Sequence, residues 1–468
     1  MEILGALLVI IIIVYISSLN WCRTIKAVFL LLVIEGALRK WVLPQASEML
    51  YFLKDIVLLG AYIGYFSVGR NKRKISIKND YFKIIIFMVA AWTLFQVFNP
   101  SLGSPIVGFF GLRGYLFYLP LMWMIPVMFQ SQNELYNFLR SHLLLTIPVG
   151  ILGIAQFFAP ANSPLNVYAP GAVTSVAVFG AAQAARVTGT FSYLSGYSVY
   201  LIVVFAFIVA IMTTQQSKKW QVISIIELLL ITVNSFMTGS RGVILTGILF
   251  LLSYIIIKIV FYPTKIWRLV QRFSLPIVIV AIAATLWFQP AIDAFVQRTT
   301  ANKDVPGRIT GSFTEIFEFT KYKDLDGYGT GATHQALPAL RKALNLPSGE
   351  VISVYYESEM GRIALELGPI GFFIWYGLRV FILIGLGNVF LKLKSPFLKE
   401  LALSAFLIQA IQINSQLVTH HTFSVYYWFL SSFIFLLPHL EQIENWHRKQ
   451  QLLPPDEKSP YFPNSSHQ

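Results

Sequence analysis

The segment "TGSRGVILTGILFLLSYIIIKIVF" (residues 238–261) determines the class of this fold. After Arg241 it continues as an apolar run long enough to cross the hydrocarbon core of a bilayer, which takes about 20 residues of α-helix. Similar runs recur along almost the whole chain. We therefore predict an all-α fold, a polytopic transmembrane helical bundle. The permanent charge of Arg241 at the start of such a run needs a separate explanation.

The composition of the chain agrees with a membrane protein. Of its 468 residues, 56% are hydrophobic and 12% are charged, whereas a soluble protein carries about 25% charged residues. The single cysteine, Cys22, excludes an internal disulfide and a cysteine-based metal site. The net charge of +14 does not indicate nucleic acid as a partner, because cytoplasmic loops of membrane proteins collect Lys and Arg.

Hydropathy predicts about thirteen spans, organised in four regions. Residues 1–289 hold the first ten spans, 290–362 form a large outer loop, 363–440 hold the last three spans, and 441–468 form a disordered tail. The predicted spans cover residues 3–19, 24–41, 49–67, 81–98, 113–129, 137–158, 191–213, 219–237, 241–261, 273–289, 363–390, 397–415 and 422–438.

The basic residues predict the orientation of the chain in the membrane. More than half of the 36 Lys and Arg residues fall in segments on one side of a thirteen-span chain. By the positive-inside rule that side is cytoplasmic, which leaves the amino terminus outside and the carboxyl terminus inside. These basic segments are residues 20–26, 68–80, 214–220, 258–272, 391–399 and 441–468.

Four arginines lie on the outer side, where the charge bias does not require them. We predict that Arg113, Arg186, Arg241 and Arg362 each stand at or near the amino-terminal end of an inward-running helix. Helix amino termini carry partial positive charge and free N–H donors, and a guanidinium group offers a bidentate fork to phosphate oxygens. The alternative is that each arginine contacts lipid phosphates or pairs with a carboxylate. Four equivalent positions favour a shared diphosphate ligand.

The large outer loop contains a candidate for proton transfer. The motif "DGYGTGATHQALPALRKALN" (326–345) places His334 after a glycine-rich turn and at the start of an amphipathic helix predicted at 333–345. Histidine can accept or shuttle a proton near neutral pH, although an ordinary exposed loop histidine is the alternative. A second amphipathic helix is predicted at 312–323. Glu359 lies three residues before Arg362, a spacing that allows a supporting ion pair within a helix.

Other ionisable residues are expected to have structural roles. Asp55 and Glu227 fall inside predicted spans, where a charge is costly, so we expect both in polar contacts between helices. His420 and His421 are adjacent and point apart, and no partner stands at helical ligand spacing, so we predict no metal site there.

Several motifs resemble one bacterial family. They are "EGALRKWVLP", "RVTGTFSYLSGYSVYL", "TGSRG", "GTGATHQALPAL" and "ESEMGRIALELGPIGFFIWYGL". Over about residues 100–390 the chain resembles the O-antigen ligase and O-antigen polymerase superfamily of envelope glycosyltransferases.

The resemblance implies a GT-C-like bundle in the bacterial inner membrane that transfers glycans at the periplasmic face. It implies metal-independent, inverting transfer without a cofactor, from undecaprenyl diphosphate to a glycan or lipid acceptor. The diphosphate-binding arginines of the family correspond to Arg186 and Arg241, with Arg308 or Arg362 contributing, and the loop base corresponds to His334. Ligases of the family often have asparagine after this histidine. Here Gln335 follows, so both polymerase and ligase remain open.

Two other classes of function remain possible at this point. One is a transporter or flippase for lipid-linked glycans, which is commonly built from internal repeats and helices broken at the midplane. The sequence shows no sustained internal repeat. The other is an assembly component of polysaccharide-export machinery, in which the outer loop would be a docking surface.

Overall fold

The structure is a computed structural model, and its described residues form an almost entirely helical chain. It describes residues 2–68, 80–170, 176–180, 183–301, 305–319, 321–323 and 325–452. The helices are α1 (Glu2–Leu19), α2 (Trp21–Ala37), α3 (Ser47–Tyr51), α4 (Leu53–Val68), α5 (Asp80–Val97), α6 (Pro105–Leu116), α7 (Leu121–Met128), α8 (Gln132–Leu144), α9 (Thr146–Phe158), α10 (Leu194–Met212), α11 (Lys218–Met237), α12 (Arg241–Phe261), α13 (Ile266–Trp287), α14 (Gln289–Ala301), α15 (Val305–Phe319), α16 (Leu337–Leu344), α17 (Glu359–Lys392), α18 (Pro396–Ile411), α19 (His421–Ser431) and α20 (Phe433–Leu452).

Nine helical segments among the described residues are long and apolar enough to cross a membrane. Two further pairs, α1 with α2 and α13 with α14, are bent by 120° and 87°, which raises the number to eleven if each pair is one span. The predicted count of about thirteen is not confirmed. The nine segments are Pro44–Ser67, Asp80–Val97, Pro105–Met128, Gln132–Phe158, Leu194–Met212, Lys218–Met237, Arg241–Phe261, Glu359–Lys392 and His421–Gln451.

Local breaks explain part of this difference. The predicted span 397–415 is realised as α18, whose 16 residues extend only about 24 Å, short of the roughly 30 Å hydrocarbon core. The predicted span 113–129 does not change the count, because it falls almost entirely within the counted segment Pro105–Met128. Within that segment α6 and α7 are separated around Pro120, whose ring nitrogen cannot donate a helical hydrogen bond.

The core of the bundle is built around α10. Most of its side chains are buried, and it packs against α8, α11, α12, α18 and α19. Two carboxylates inside the bundle are paired with arginines, because an isolated buried ion is costly. Glu227 of α11 accepts a hydrogen bond of 2.9 Å from Arg140 of α8, and Asp55 of α4 pairs with Arg113 of α6. The expectation of polar partners for both carboxylates is confirmed.

Ion pairs and hydrogen bonds collect several of the basic segments at one end of the bundle. Lys26 pairs with Glu134 at 3.0 Å, and Lys258 pairs with Glu400. The amide of Lys394 donates to Glu441 at 2.7 Å. The helices α10, α12 and α17 begin at the opposite end, which we call the arginine end because Arg241 opens α12 there.

The long helix α17 is interrupted near its middle by Gly368, which has φ +66° and ψ 177°, followed by Pro369. Because Pro369 has no N–H and Gly368 leaves the helical conformation, the carbonyls one turn earlier lose their helical donors. Donors from elsewhere replace them. The amides of Tyr328 and Gly329 donate to the carbonyls of residues 365 and 366, and the indole of Trp92 donates to the carbonyl of residue 367.

The break in α17 therefore docks a loop that we call the glycine loop, residues 327–334. The loop packs on α5 and α6. Asn99, in the turn between these helices, donates to the carbonyl of Gly327 at 3.0 Å. Gly331 has φ +83°, and a Cβ there would lie 2.7 Å from the Cα of Gly111 in α6. Only glycine satisfies both the backbone conformation and this close approach.

The predicted loop and tail regions differ in detail from the structure. The region 290–362 contains most of α14 and the helices α15 and α16, so both predicted amphipathic stretches have helical counterparts. An antiparallel pair of two-residue strands, Val178–Phe179 and Ala184–Ala185, precedes Arg186. Helix α20 continues to Leu452, so the first part of the predicted disordered tail is helical. The rest of the tail lies outside the described residues.

We predict that Gly331→Ala destabilises the protein by about 1–3 kcal/mol, because the methyl group meets the backbone of α6 and the conformation is strained. Apparent thermal unfolding in detergent would show a lower midpoint. Gly307→Ala is the matched control, since a Cβ there has no neighbour within 4 Å. Equal midpoints for the two variants would contradict the docking of the loop on α6.

Candidate functional site

The carboxylate of Glu366 fixes the conformation of the glycine loop. It accepts hydrogen bonds from the amides of Gly331 and Thr333, both at 3.0 Å, and from the Thr333 hydroxyl at 2.7 Å. The buried hydroxyl of Tyr115 donates to the same carboxylate at 2.7 Å. Charge-assisted bonds of this kind are stronger than neutral ones. Four donors on one carboxylate make the loop a rigid support for the residue that follows it, His334.

His334 lies in this cluster as a neutral side chain. Its Nδ1 accepts the N–H of Ala336 at 3.1 Å, and its ring packs edge-on against Phe110 at 4.7 Å. Burial, followed by the positive charges of Arg113 and Arg362, lowers the pKa of His334 to about 4. His334 therefore lies close to Arg113 and Arg362, two of the arginines predicted to bind the diphosphate.

Arg362 is buried on α17 beside the glycine loop. Its Nη1 donates to the carbonyl of Thr333 at 3.2 Å, and its guanidinium lies over the ring of Tyr356. Glu359, in the first turn of the same helix, accepts the amides of Leu417 and Val418 at 2.8 and 2.9 Å. The expected ion pair between Glu359 and Arg362 is absent from the described contacts, and both backbone amides donate to Oε1 of Glu359.

Arg113 differs most from its expected position. Helix α6 begins at Pro105, so Arg113 stands in its last turn and not at an amino terminus. Its guanidinium pairs with Asp55 and lies over the rings of Tyr51 and Phe52. Asp55 therefore balances the charge that the sequence assigned to a phosphate, and the amino-terminal argument does not apply to Arg113.

The structure brings Arg186 and Arg241 together and adds Arg298 from α14. Partial burial, followed by the nearby positive charges of Arg298 and Arg241, lowers the pKa of Arg186 to about 10. Its Nε donates to the carbonyl of Thr238, at the end of α11, at 2.9 Å. Arg241 is the first residue of α12, as expected. We call Arg186, Arg241 and Arg298 the arginine cluster.

The backbone around Arg186 is held by residues that the sequence argument did not assign. The ammonium of Lys40 donates to the carbonyl of Gly189 at 2.7 Å and to the hydroxyl of Thr188 at 3.0 Å. The amide oxygen of Gln156 accepts the N–H groups of both residues. Lys40 belongs to the motif "EGALRKWVLP". This motif is part of the family resemblance, but the sequence predicted no role for it. The structure gives the motif a role in holding the segment that carries Arg186.

Sequence reasoning missed Arg298 and Glu366 for different reasons. Arg298 lies in the large loop, and only the fold brings α14 against α11, where Phe295 packs on Phe236. Glu366 is one of several acidic residues near the start of α17, and the sequence predicted no role for it. The feature of the sequence that could have identified Glu366 is its position two residues before the break at Gly368 and Pro369. Arg308 lies on α15, but its side chain falls outside the described part of the structure.

An apolar cavity of about 220 Å³ lies between α10, α11, α12 and α18, next to the arginine cluster. On α11 the lining includes Phe236, next to Met237, and on α12 it includes Val243, two residues after Arg241. The lining residues are Leu201, Ile202, Phe205, Ile231, Thr232, Ser235, Phe236, Val243, Ile244, Thr246, Gly247, Ile248, Phe250, Leu251 and Ile408. Such a cavity suits hydrocarbon, and the neighbouring guanidinium groups suit an anion.

No group of three or more His, Cys, Asp or Glu side chains gathers as metal ligands within the described ranges. His420 serves as the amino-terminal cap of α19, since its side chain accepts the amide of Phe423. His421 is buried against the rings of Tyr51 and Tyr118. The two histidines have separate surroundings, and neither belongs to a cluster of metal ligands.

Comparison with known proteins finds no family model that matches the chain and no matching curated protein. The function is therefore argued from the geometry of the site and from the motifs.

We predict that Glu366→Ala loosens the glycine loop, because each buried donor left unsatisfied costs about 1–3 kcal/mol. Hydrogen exchange of the amides of residues 327–334 should become faster, and the unfolding midpoint should fall. Glu318→Ala, which removes an exposed carboxylate from α15, is the control. Unchanged exchange in the Glu366 variant would show that the loop is held by other contacts.

Proposed function

We propose that this protein is an envelope polysaccharide glycosyltransferase of the O-antigen polymerase or ligase type. It would act in the bacterial inner membrane and move a glycan from undecaprenyl diphosphate to a sugar acceptor on the periplasmic face. The observation that carries the proposal is the position of Arg186, which donates to the carbonyl of Thr238 three residues before Arg241, beside an apolar cavity at one end of a membrane bundle.

The arginine cluster suits the diphosphate of the donor. Burial lowers the pKa of Arg186, and the nearby positive charges of Arg298 and Arg241 lower it further. A bound diphosphate reverses the interaction, since its oxygens accept several charge-assisted hydrogen bonds from guanidinium groups. Arg241 adds its position at the start of α12, where the helix end favours an anion. Together these features support a site for a doubly phosphorylated head group.

The apolar cavity suits the carrier lipid of the same molecule. Burial of hydrocarbon is favourable by about 25 cal/mol per Å² removed from water, and the cavity lining is almost entirely apolar. A ligand with its diphosphate at Arg241 would extend its first hydrocarbon units past Val243 and Gly247. The pairing of an anionic site with an adjacent apolar one supports a lipid-linked donor over a free nucleotide sugar.

The proposed reaction needs charge stabilisation at the leaving group above all. The acceptor hydroxyl oxygen forms a bond to the anomeric carbon while the bond from that carbon to the phosphate oxygen breaks. Negative charge then develops on the diphosphate, where guanidinium groups can replace a metal ion. In this proposal Arg186, Arg241 and Arg298 perform that task. Arg362 and Glu359 shape the wall around His334, which the family resemblance assigns as the base.

We predict that Arg186→Ala, Arg241→Ala and Arg298→Ala each lower transfer by roughly 10²-fold or more, the scale of losing one preorganised charge-stabilising donor. The assay uses purified protein in nanodiscs, a glycan on undecaprenyl diphosphate and an acceptor, and measures product and released carrier lipid. Arg23→Ala is the control, because Arg23 is exposed in the first turn of α2. Near-normal turnover of the Arg241 variant would refute the assignment.

We predict that Gly247→Phe weakens use of the long-chain donor by filling the cavity, since Gly247 lines it and a Cβ there has open space. KM should rise for undecaprenyl diphosphate donors and stay unchanged for donors with a short prenyl chain. Gly247→Ala controls for the loss of glycine. An equal effect on both donors would place the lipid chain elsewhere.

The same purified system distinguishes the competing classes of function. A flippase would move the lipid-linked glycan between leaflets of a liposome without consuming it, and an assembly component would do neither. Glycans of a deletion strain distinguish the two enzymes. Accumulated single repeat units indicate a polymerase, and unattached long chains on the carrier lipid indicate a ligase.

A further inference from the structure

The hydrogen bonds of His334 determine where its ring proton lies. Nδ1 accepts the backbone N–H of Ala336 at 3.1 Å, so Nδ1 must present its lone pair. A neutral imidazole carries one proton, which is then on Nε2. Nε2 donates to no described residue, and the side chain is only partly buried. The Nε2–H group is therefore open to a ligand.

The groups around His334 oppose a second proton on the ring. Arg113 of α6 and Arg362 of α17 are the charged groups that act on it most, and both disfavour the cation. His421 of α19 also lies near enough to interact with it electrostatically. The ring of His334 also packs against the apolar ring of Phe110. A base at this position would have to become an imidazolium between two guanidinium groups.

We infer that His334 is a substrate-binding residue, a neutral hydrogen-bond donor that presents Nε2–H to a glycan or phosphate oxygen, and not the base that accepts the hydroxyl proton. The inference rests on the proposed function for the identity of the ligand. The tautomer itself rests only on the geometry of the ring. Glu366 and the glycine loop hold the backbone in the position that this hydrogen bond requires.

The reaction remains balanced without a protonated histidine. The acceptor oxygen bonds to the anomeric carbon, and the electron pair of the broken bond stays on the phosphate oxygen. In-line attack leaves the diphosphate on the opposite side of the anomeric carbon from the acceptor oxygen, so the hydroxyl proton passes to water beside the acceptor. His334 neither gains nor loses a proton.

A histidine that only caps a helix is the competing explanation. His420 provides the example, because it accepts the amide of Phe423 at 3.2 Å at the start of α19. Substitutions can separate the roles of the two ring nitrogens. A glutamine amide can place an N–H near the position of Nε2, whereas an asparagine amide reaches only the position of Nδ1.

The kinetic test compares His334→Gln, His334→Asn and His334→Ala in the nanodisc transfer assay. A donor role predicts that the glutamine variant keeps turnover within several-fold, while the other two lose roughly 10²-fold, as when one charge-stabilising donor is removed. Equal large losses in all three variants would indicate a base and overturn the inference. Retention by asparagine alone would indicate a cap and overturn it as well.

A spectroscopic test is independent of catalysis and of the proposed function. Nitrogen-15 NMR of the full-length protein with labelled histidine, assigned by difference with His334→Gln, reports the protonation of each ring nitrogen. We expect a neutral ring with its proton on Nε2 from pH 8 to pH 5. A proton on Nδ1, or a cationic ring at pH 6, would contradict the inference even if transfer activity is confirmed.

Discussion

The break of α17 at Gly368 and Pro369 is the constraint on which the site depends. In a membrane bundle, carbonyls that lose their helical donors must find others within the protein. Tyr328, Gly329 and Trp92 supply those donors, and this anchors the glycine loop between α5, α6 and α17. Because Glu366 lies two residues before the break, its carboxylate is available to the same loop. One interruption in one helix thus fixes the position of His334.

Two groups of residues at the arginine end have different surroundings: those around His334 and those of the arginine cluster. Around His334, Asp55 pairs with Arg113, and the carboxylates of Glu359 and Glu366 are bonded to backbone donors. That region has balanced charge and a precise shape. In the arginine cluster, Arg186 is partly buried and lies near the positive charges of Arg298 and Arg241. We interpret the first region as a place that positions a neutral glycan and the second as a place that stabilises an anion.

The sequence predicted features that depend on neighbouring residues and missed those that depend on distant contacts. The span 241–261 matches α12 because a polar turn meets a long apolar run at Arg241. Arg113 was misplaced because α6 begins at Pro105, capped by Ser104, within a stretch whose hydropathy gives no boundary. Arg298 could not be predicted, since its approach to Arg186 depends on how α14 packs against α11.

We propose that the arginine cluster holds the diphosphate of a lipid-linked donor. The most direct test of this proposal is a cryo-EM structure of the protein in nanodiscs with undecaprenyl diphosphate. We expect density for both phosphates between the guanidinium groups of Arg186, Arg241 and Arg298, with the hydrocarbon chain entering the cavity past Val243. Phosphate density beside Arg113 and Arg362 instead, or an arginine cluster that stays empty at saturating lipid, would contradict it.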